Sequence, residues 1–144
     1  VENCLDGMDM MVISPGIPAE QPAVALARSK GIEVIGEVEL AYRLGRGHVV
    51  AVTGTNGKTT TTTLLGEIFK NAGRISYVVG NIGDPYSAYA SQMKDDDMVV
   101  CELSSFQLET VDTPFAVFII WRPGRSVLPV VFIAPETKPS ALSS

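Results

Sequence analysis

Histidine is nearly missing from this sequence. His48 is the only one in 144 residues, and the two cysteines, Cys4 and Cys101, lie far apart. No Cys/His ligand cluster can be drawn, which argues against a zinc site and against a serine-type triad. His48 directly precedes an apolar run and reads as an ordinary loop residue. Cys101 lies inside another apolar run and reads as a buried, reduced core residue. Positive charge is also in deficit. The formal net charge is −5, and charged residues make up 19% of the chain. General binding to nucleic acid or to an anionic membrane, which favours basic surfaces, is therefore not expected. The low charge leads to the expectation that much of the surface is covered in the intact protein. No apolar segment is long enough to span a bilayer, and no basic region followed by an apolar run opens the chain, so the expected location is the cytoplasm. The chain begins at Val1 rather than Met, which suggests a fragment.

What is present is an α/β pattern. Hydrophobic residues reach 46%, enough for a core in a chain of about one domain's length. Met8–Ser14 reads as a strand ending in Ser14-Pro15-Gly16. A helix is expected within Pro18–Lys30, stopped by Gly31, and a strand over Ile32–Ile35. Glu37–Leu44 reads as a short helix with Val38, Leu40, Ala41 and Leu44 as its apolar face, followed by the break Gly45-Arg46-Gly47. His48–Thr53 is the next strand and Lys58–Asn71 the next helix, capped by Gly73. Strands at Ile75–Val79, Met98–Leu103 and Ala116–Ile120 follow, with a helix expected over Tyr86–Met93 and a solvated turn at Asp95-Asp96-Asp97. Strands and helices alternating at this spacing imply a parallel sheet, with ligands bound beyond the carboxyl ends of its strands. From Trp121 the alternation stops. Pro135–Ser144, rich in Pro and Ser, is expected to be disordered.

The stretch that carries chemistry is Val49–Thr53 followed by Gly54-Thr55-Asn56-Gly57-Lys58-Thr59-Thr60. A buried strand runs into a Gly-rich turn, and Lys-Thr opens a helix along which Leu64, Leu65, Ile68 and Phe69 recur. Two glycines let the backbone approach an anion, Lys58 would meet outer phosphates, and the Thr59 hydroxyl a phosphate-bound Mg²⁺. A plain strand-to-helix corner would need neither Lys nor Thr there. The strict P-loop pattern has a further Gly where this chain has Val52. Thr is a mediocre helix former, so the run Thr59–Thr63 suits a site more than a plain helix, with Thr61–Thr63 readable as surface or packing positions. Two further strand ends bring polar groups to the same edge: Asn81 within Gly80-Asn81-Ile82-Gly83, and Glu102, Ser104 and Ser105. Glu102, flanked by Cys101 and Leu103, is a carboxylate that needs a partner or a metal if buried. A turn residue is the competing reading for Asn81, and an exposed strand-end acid for Glu102.

Together, Gly54–Thr60, Gly80–Gly83 and Glu102-Leu103-Ser104-Ser105-Phe106-Gln107-Leu108-Glu109 resemble the Mur ligases of peptidoglycan synthesis. Ser14-Pro15-Gly16-Ile17-Pro18 and Gly36-Glu37-Val38-Glu39-Leu40 add to the resemblance, which covers roughly residues 9 to 120 and is nearest to the D-glutamate-adding branch. The family's shorter Gly-Thr-x-Gly-Lys loop accounts for Val52. The resemblance implies part of a Rossmann-like N-terminal domain, then a truncated P-loop-type central ATP-binding domain with a mostly parallel sheet. On that reading residues 1–36 are the C-terminal part of a UDP-substrate-binding domain, 37–47 a linker, 48–120 a partial ATP-binding domain, and 121–144 an aberrant tail. It implies ATP and Mg²⁺ as cofactors, UDP-N-acetylmuramoyl-L-alanine and D-glutamate as substrates, no nucleic-acid or membrane partner, and a monomer. Gly54, Thr55, Asn56, Gly57, Lys58, Thr59 and Thr60 would bind ATP. Lys58 and Glu102 would be catalytic, and Thr59 and Glu102 would hold the metal. Ser14, Pro15, Gly16, Asn81, Ser104, Ser105 and Gln107 would contact the muramoyl nucleotide. The family continues with an Asn-Ile-x-Pro-Asp-His-Leu-Asp type segment and a later carbamylated Lys. Trp121 onward matches neither, as a change of reading frame would produce, so the chain is expected to be an inactive fragment. Another Mur or folylpolyglutamate-type ligase, or a nucleotide-binding module without ligase activity, are the competing readings. A generic NTPase has no reason to carry Glu102–Gln107 or Ser14–Gly16.

Overall fold

The computed structural model describes residues 4–18, 20–111 and the backbone of 117–121. The expected strand–helix–strand unit is present. β1 (Met10–Ile13) leads to α1 (Pro22–Ser29), then to β2 (Glu33–Gly36), and β1 and β2 pair in parallel with Ile13 opposite Gly36. Pro22 opens α1, where a missing N–H costs nothing. Beyond its last turn, Gly31 N–H donates to Arg28 O and Ile32 N–H to Ala27 O, both at 3.0 Å, closing the helix end. Leu5, Ala27 and Ile32 form the small core of this unit.

α2 (Glu37–Leu44) follows at once and carries the chain to a second sheet. Residues 37–47, expected as a linker, are more than a tether. Val38, Ala41 and Tyr42 lie in one core cluster with Val49, Ala51, Val99 and Cys101 of the second sheet and Leu103 just beyond it. Leu44, expected on the apolar face, is exposed, while Glu39 is fully buried. Glu39 is satisfied by Arg43 one turn later, whose Nε lies 2.9 Å away and whose guanidinium also meets Glu33 at 2.8 Å. A charge pair therefore replaces part of the apolar stripe that periodicity favoured.

The second sheet has four parallel strands in the order β4 (Ser76–Gly80), β5 (Met98–Glu102), β3 (His48–Gly54), β6 (Val117–Trp121). β3 and β5 lie between neighbours on both sides, and Val49, Ala51, Val52 and Val99–Cys101 are buried, with Val50 half-buried. Cys101 is free and buried, and burial pushes its thiol well above the ordinary range. His48 is the exposed first residue of β3.

α3 (Lys58–Asn71) packs against the sheet by an unexpected face. Leu64 and Ile68 are 59% and 50% exposed, while Thr62 and Gly66 are buried. The cause is close approach: a Cβ on Gly66 would collide with Cγ2 of Val78 in β4. Thr62 fits beneath the helix because its hydroxyl donates to Lys58 O at 2.8 Å. Gly66→Ala should therefore lower the melting temperature, although Ala is the better helix former by about 1 kcal/mol. The overpacking penalty of about 1–3 kcal/mol exceeds that gain, and thermal unfolding followed by circular dichroism measures the difference.

Two further expectations are corrected. Tyr86–Met93 is not one helix but two 3₁₀ turns, Tyr86–Ala88 and Ala90–Gln92. Tyr and Ser are weak helix formers and the segment is short, so burial of Tyr86, Ala90 and Met93 sets its path instead. Asp95-Asp96-Asp97 is not wholly solvated. Asp97 is buried, and its carboxylate accepts from Lys94 N–H at 2.9 Å while its carbonyl accepts from His48 N–H at 2.8 Å. Among the described residues no helix is long and apolar enough to cross a membrane. Trp121, expected to open the aberrant and disordered tail 121–144, is instead the last residue of β6; the rest of that tail, 122–144, with the Pro/Ser-rich Pro135–Ser144, lies outside the described residues.

Candidate functional site

Register places the site. Glu102, the last residue of β5, stands opposite Val52 of β3 on one side and Gly80 of β4 on the other. The chain leaves β3 through Gly54–Gly57 and leaves β4 through Asn81. The acid therefore sits between the two turns, at the carboxyl edge where a parallel sheet binds its ligands.

The turn after β3 is built for an anion. Thr55, Asn56 and Gly57 are exposed. Gly57 caps α3 with φ +74°, a left-handed conformation that a side chain would strain, and no side chain caps the helix. The first N–H groups of this 14-residue helix therefore point out of its N-terminus without helical partners, at the positive end of its dipole. Lys58 folds back over the turn, its Nζ donating to Gly54 O at 2.8 Å.

Glu102 is 2% exposed and makes no ion pair among the described residues. Each carboxylate oxygen accepts one neutral donor. Thr59 Oγ1 donates to Oε2 at 2.9 Å, and Asn81 Nδ2 donates to Oε1 at 3.1 Å. Asn81 N–H also donates to Glu102 O at 2.9 Å. A buried carboxylate with two neutral donors and no ion pair among the described residues leaves a place for a cation as its counter-charge. Thr59 and Glu102 offer hard oxygen donors, which suit Mg²⁺. No group of three or more His, Cys, Asp or Glu that could cage a metal exists among the described residues. Mg²⁺ fits such a site, because it takes one or two protein oxygens and completes its shell with phosphate and water.

The remaining expected site residues are distributed differently. Ser104 and Gln107 turn to each other. Gln107 Oε1 accepts from Ser104 N–H at 2.9 Å and from Ser104 Oγ at 3.0 Å, and Ser104 Oγ accepts from Gln107 N–H at 3.3 Å. This capping box opens the short helix α4 (Ser105–Leu108). Ser104 and Gln107, which the resemblance implies as substrate contacts, also have the Ser-x-x-Gln spacing of a cap. Ser105 is exposed at the first position of α4. Ser14, Pro15 and Gly16 form an exposed turn beyond β1, with Ile17 N–H on Ser14 O at 3.2 Å. No hydrogen bond between described residues joins that turn to 54–60. Asp84 and Tyr89, which carried no motif, also belong to this edge. The Tyr89 hydroxyl donates to the Asp84 carboxylate, and that bond raises the Tyr89 phenol above its ordinary range.

Residues 52–120 match the Mur ligase middle domain family. With the parallel sheet and the loop at its edge, this places the chain in the Mur ligase family. Among the chain's curated relatives are several named UDP-N-acetylmuramoylalanine--D-glutamate ligase. That of Alkaliphilus oremlandii is 56% identical over 111 residues, 77% of this chain and 24% of the relative. That of Alkaliphilus metalliredigens is 56% identical over 107 residues, 74% of this chain and 24% of the relative. That of Koribacter versatilis is 50% identical over 111 residues, with 77% and 24% covered. The chain thus spans about a quarter of the length of the curated relatives it matches.

Proposed function

We propose that this chain carries the ATP-holding part of a ligase that adds D-glutamate to UDP-N-acetylmuramoyl-L-alanine through an acyl phosphate. The observation that supports this best is the buried Glu102 carboxylate held between Thr59 of the phosphate turn and Asn81 of the neighbouring strand end. The amides of 54–60 would cradle the polyphosphate, and Lys58 would leave Gly54 O to balance charge on the outer phosphates. Thr59 and Glu102 would hold Mg²⁺, which when bound offsets the negative charge between phosphate and substrate carboxylate. Asn81 keeps the Glu102 carboxylate oriented, so no reorganisation is needed as charge develops. Ser105 and the free face of Asn81 lie on the edge that the muramoyl-alanine carboxylate must approach. Ser104 and Gln107 fix the backbone there. Ser14–Gly16 would meet the uridine part from the first sheet. Residues 1–36 are proposed as belonging to the substrate-binding domain and 48–120 to the ATP-binding domain. A cytoplasmic, monomeric protein is proposed with them.

The D-glutamate-adding reading is tested by ligand-observed NMR. With Mg²⁺ and a non-hydrolysable ATP analogue present, UDP-N-acetylmuramoyl-L-alanine should show line broadening in its muramoyl and alanyl signals, and pteroyl glutamate should show none. If the ATP analogue binds but the muramoyl nucleotide does not, a nucleotide-binding module is the better description.

A further inference from the structure

We propose that Asp84 and Tyr89 are positioning residues that clamp the turn at 80–84, so that Asn81 holds Glu102 in the orientation a cation requires. The inference rests on the reading of Thr59 and Glu102 as the holders of that cation. It begins with the reach of Asn81. Its side chain is short, so the bond from Nδ2 to Glu102 Oε1 survives only if the backbone of the turn stays in place. The turn is closed on its own strand: Gly80 N–H donates to Asp84 O at 3.2 Å, and Val79 bridges to Asp84. Gly80 itself has φ +105°, and a Cβ there would run into the carbonyl of Glu102, so the turn passes against β5 with no space between. The far end of the turn is fixed from outside. Tyr89 donates its hydroxyl to the Asp84 carboxylate, and its ring rests on that of Tyr77 in β4, with centroids 5.4 Å apart and planes at 42°. The circuit therefore runs from β4 through Tyr77, Tyr89 and Asp84 into the turn, and from Asn81 to Glu102. Neither Asp84 nor Tyr89 hydrogen-bonds Glu102 or residues 54–60 among the described residues, so both act through Asn81.

The clamp predicts a loss confined to the metal-dependent part of nucleotide binding. The measurement is calorimetric titration of ATP into the 144-residue chain, with Mg²⁺ and with EDTA. Tyr89→Phe keeps the ring on Tyr77 and removes only the hydroxyl, and Asp84→Ala removes its acceptor. Each should cut the Mg²⁺-conferred gain in ATP affinity roughly three- to tenfold, below the effect of losing a group that touches a metal ligand directly. Affinity in EDTA should not change. Asp84→Asn, which keeps an acceptor oxygen, should retain most of the gain. In the metal-free chain the Asn81 side-chain amide resonances should move in Tyr89→Phe and Asp84→Ala, and not in Asp84→Asn. A wild-type gain kept in full by Tyr89→Phe and Asp84→Ala, with unmoved Asn81 resonances, would overturn the clamp alone. A wild-type chain with no gain from Mg²⁺ would overturn the metal reading. In that case moved Asn81 resonances would still uphold the clamp on the turn, and unmoved ones would remove it as well.

Discussion

Lys58→Ala should weaken ATP binding roughly ten- to a hundredfold while leaving AMP binding nearly unchanged. A hydrogen bond to a charged group contributes about 1.5–3 kcal/mol, and tenfold in affinity is about 1.4 kcal/mol. Lys58 is the first residue of α3, and its ammonium rests on the Gly54 carbonyl at 2.8 Å, so it is already at the mouth of the turn. A ligand with outer phosphates gives this ammonium a better acceptor than a carbonyl; AMP lacks those phosphates. The ratio of ATP to AMP affinity is therefore the informative readout, because general damage to the fold would weaken both. Calorimetric titration of the two nucleotides into wild type and Lys58→Ala supplies it. An unchanged ratio would remove the phosphate-turn reading.

Glu102→Gln should abolish most of the benefit that Mg²⁺ gives to ATP binding without lowering the melting temperature. The substitution is nearly isosteric. Its amide oxygen can keep the bond from Asn81 Nδ2, and its amide nitrogen can donate to the Thr59 hydroxyl, which rotates to accept. The substitution removes the carboxylate charge and keeps both existing partners, Thr59 and Asn81, within reach. Removing a buried charge that has no counter-ion is neutral or stabilising, so stability and metal-dependent binding should move in opposite directions or independently. That separation marks a residue kept for function rather than for folding. A variant that melts earlier and binds Mg²⁺ with ATP as wild type does would identify Glu102 as a structural acid.

Much of the arrangement was legible before any coordinates. Alternating apolar runs and helical spacing foretold the parallel sheet, and the bounds of α3 followed from Gly57 before it and Gly73 after it. Glu102 stood out because an acid amid Val99-Val100-Cys101 and Leu103 demands a partner, and its burial agrees. The parts that stayed hidden depend on contacts between segments. Of the recurring Leu64, Leu65, Ile68 and Phe69, Leu65 and Phe69 are half-buried and Leu64 and Ile68 are exposed. Only the proximity of Val78 to Gly66 shows why small residues face the sheet. The burial of Glu39 depends on Arg43, one helical turn away, which also reaches across to Glu33 of β2. Asp84 and Tyr89 carried no motif, since their pairing arises from how the turn folds back on β4. Ser104 and Gln107 were expected, on the resemblance, as substrate contacts; the capping box they form was not foreseen.

The central claim is that the ends of β3, β4 and β5 make one site for a metal-bound polyphosphate. The most direct test is titration of ATP into the wild-type chain in Mg²⁺ and in EDTA. The account predicts saturable one-to-one binding that is at least about tenfold tighter with Mg²⁺, a gain of about 1.4 kcal/mol. Equal affinity in the two buffers, or no binding in either, would contradict it.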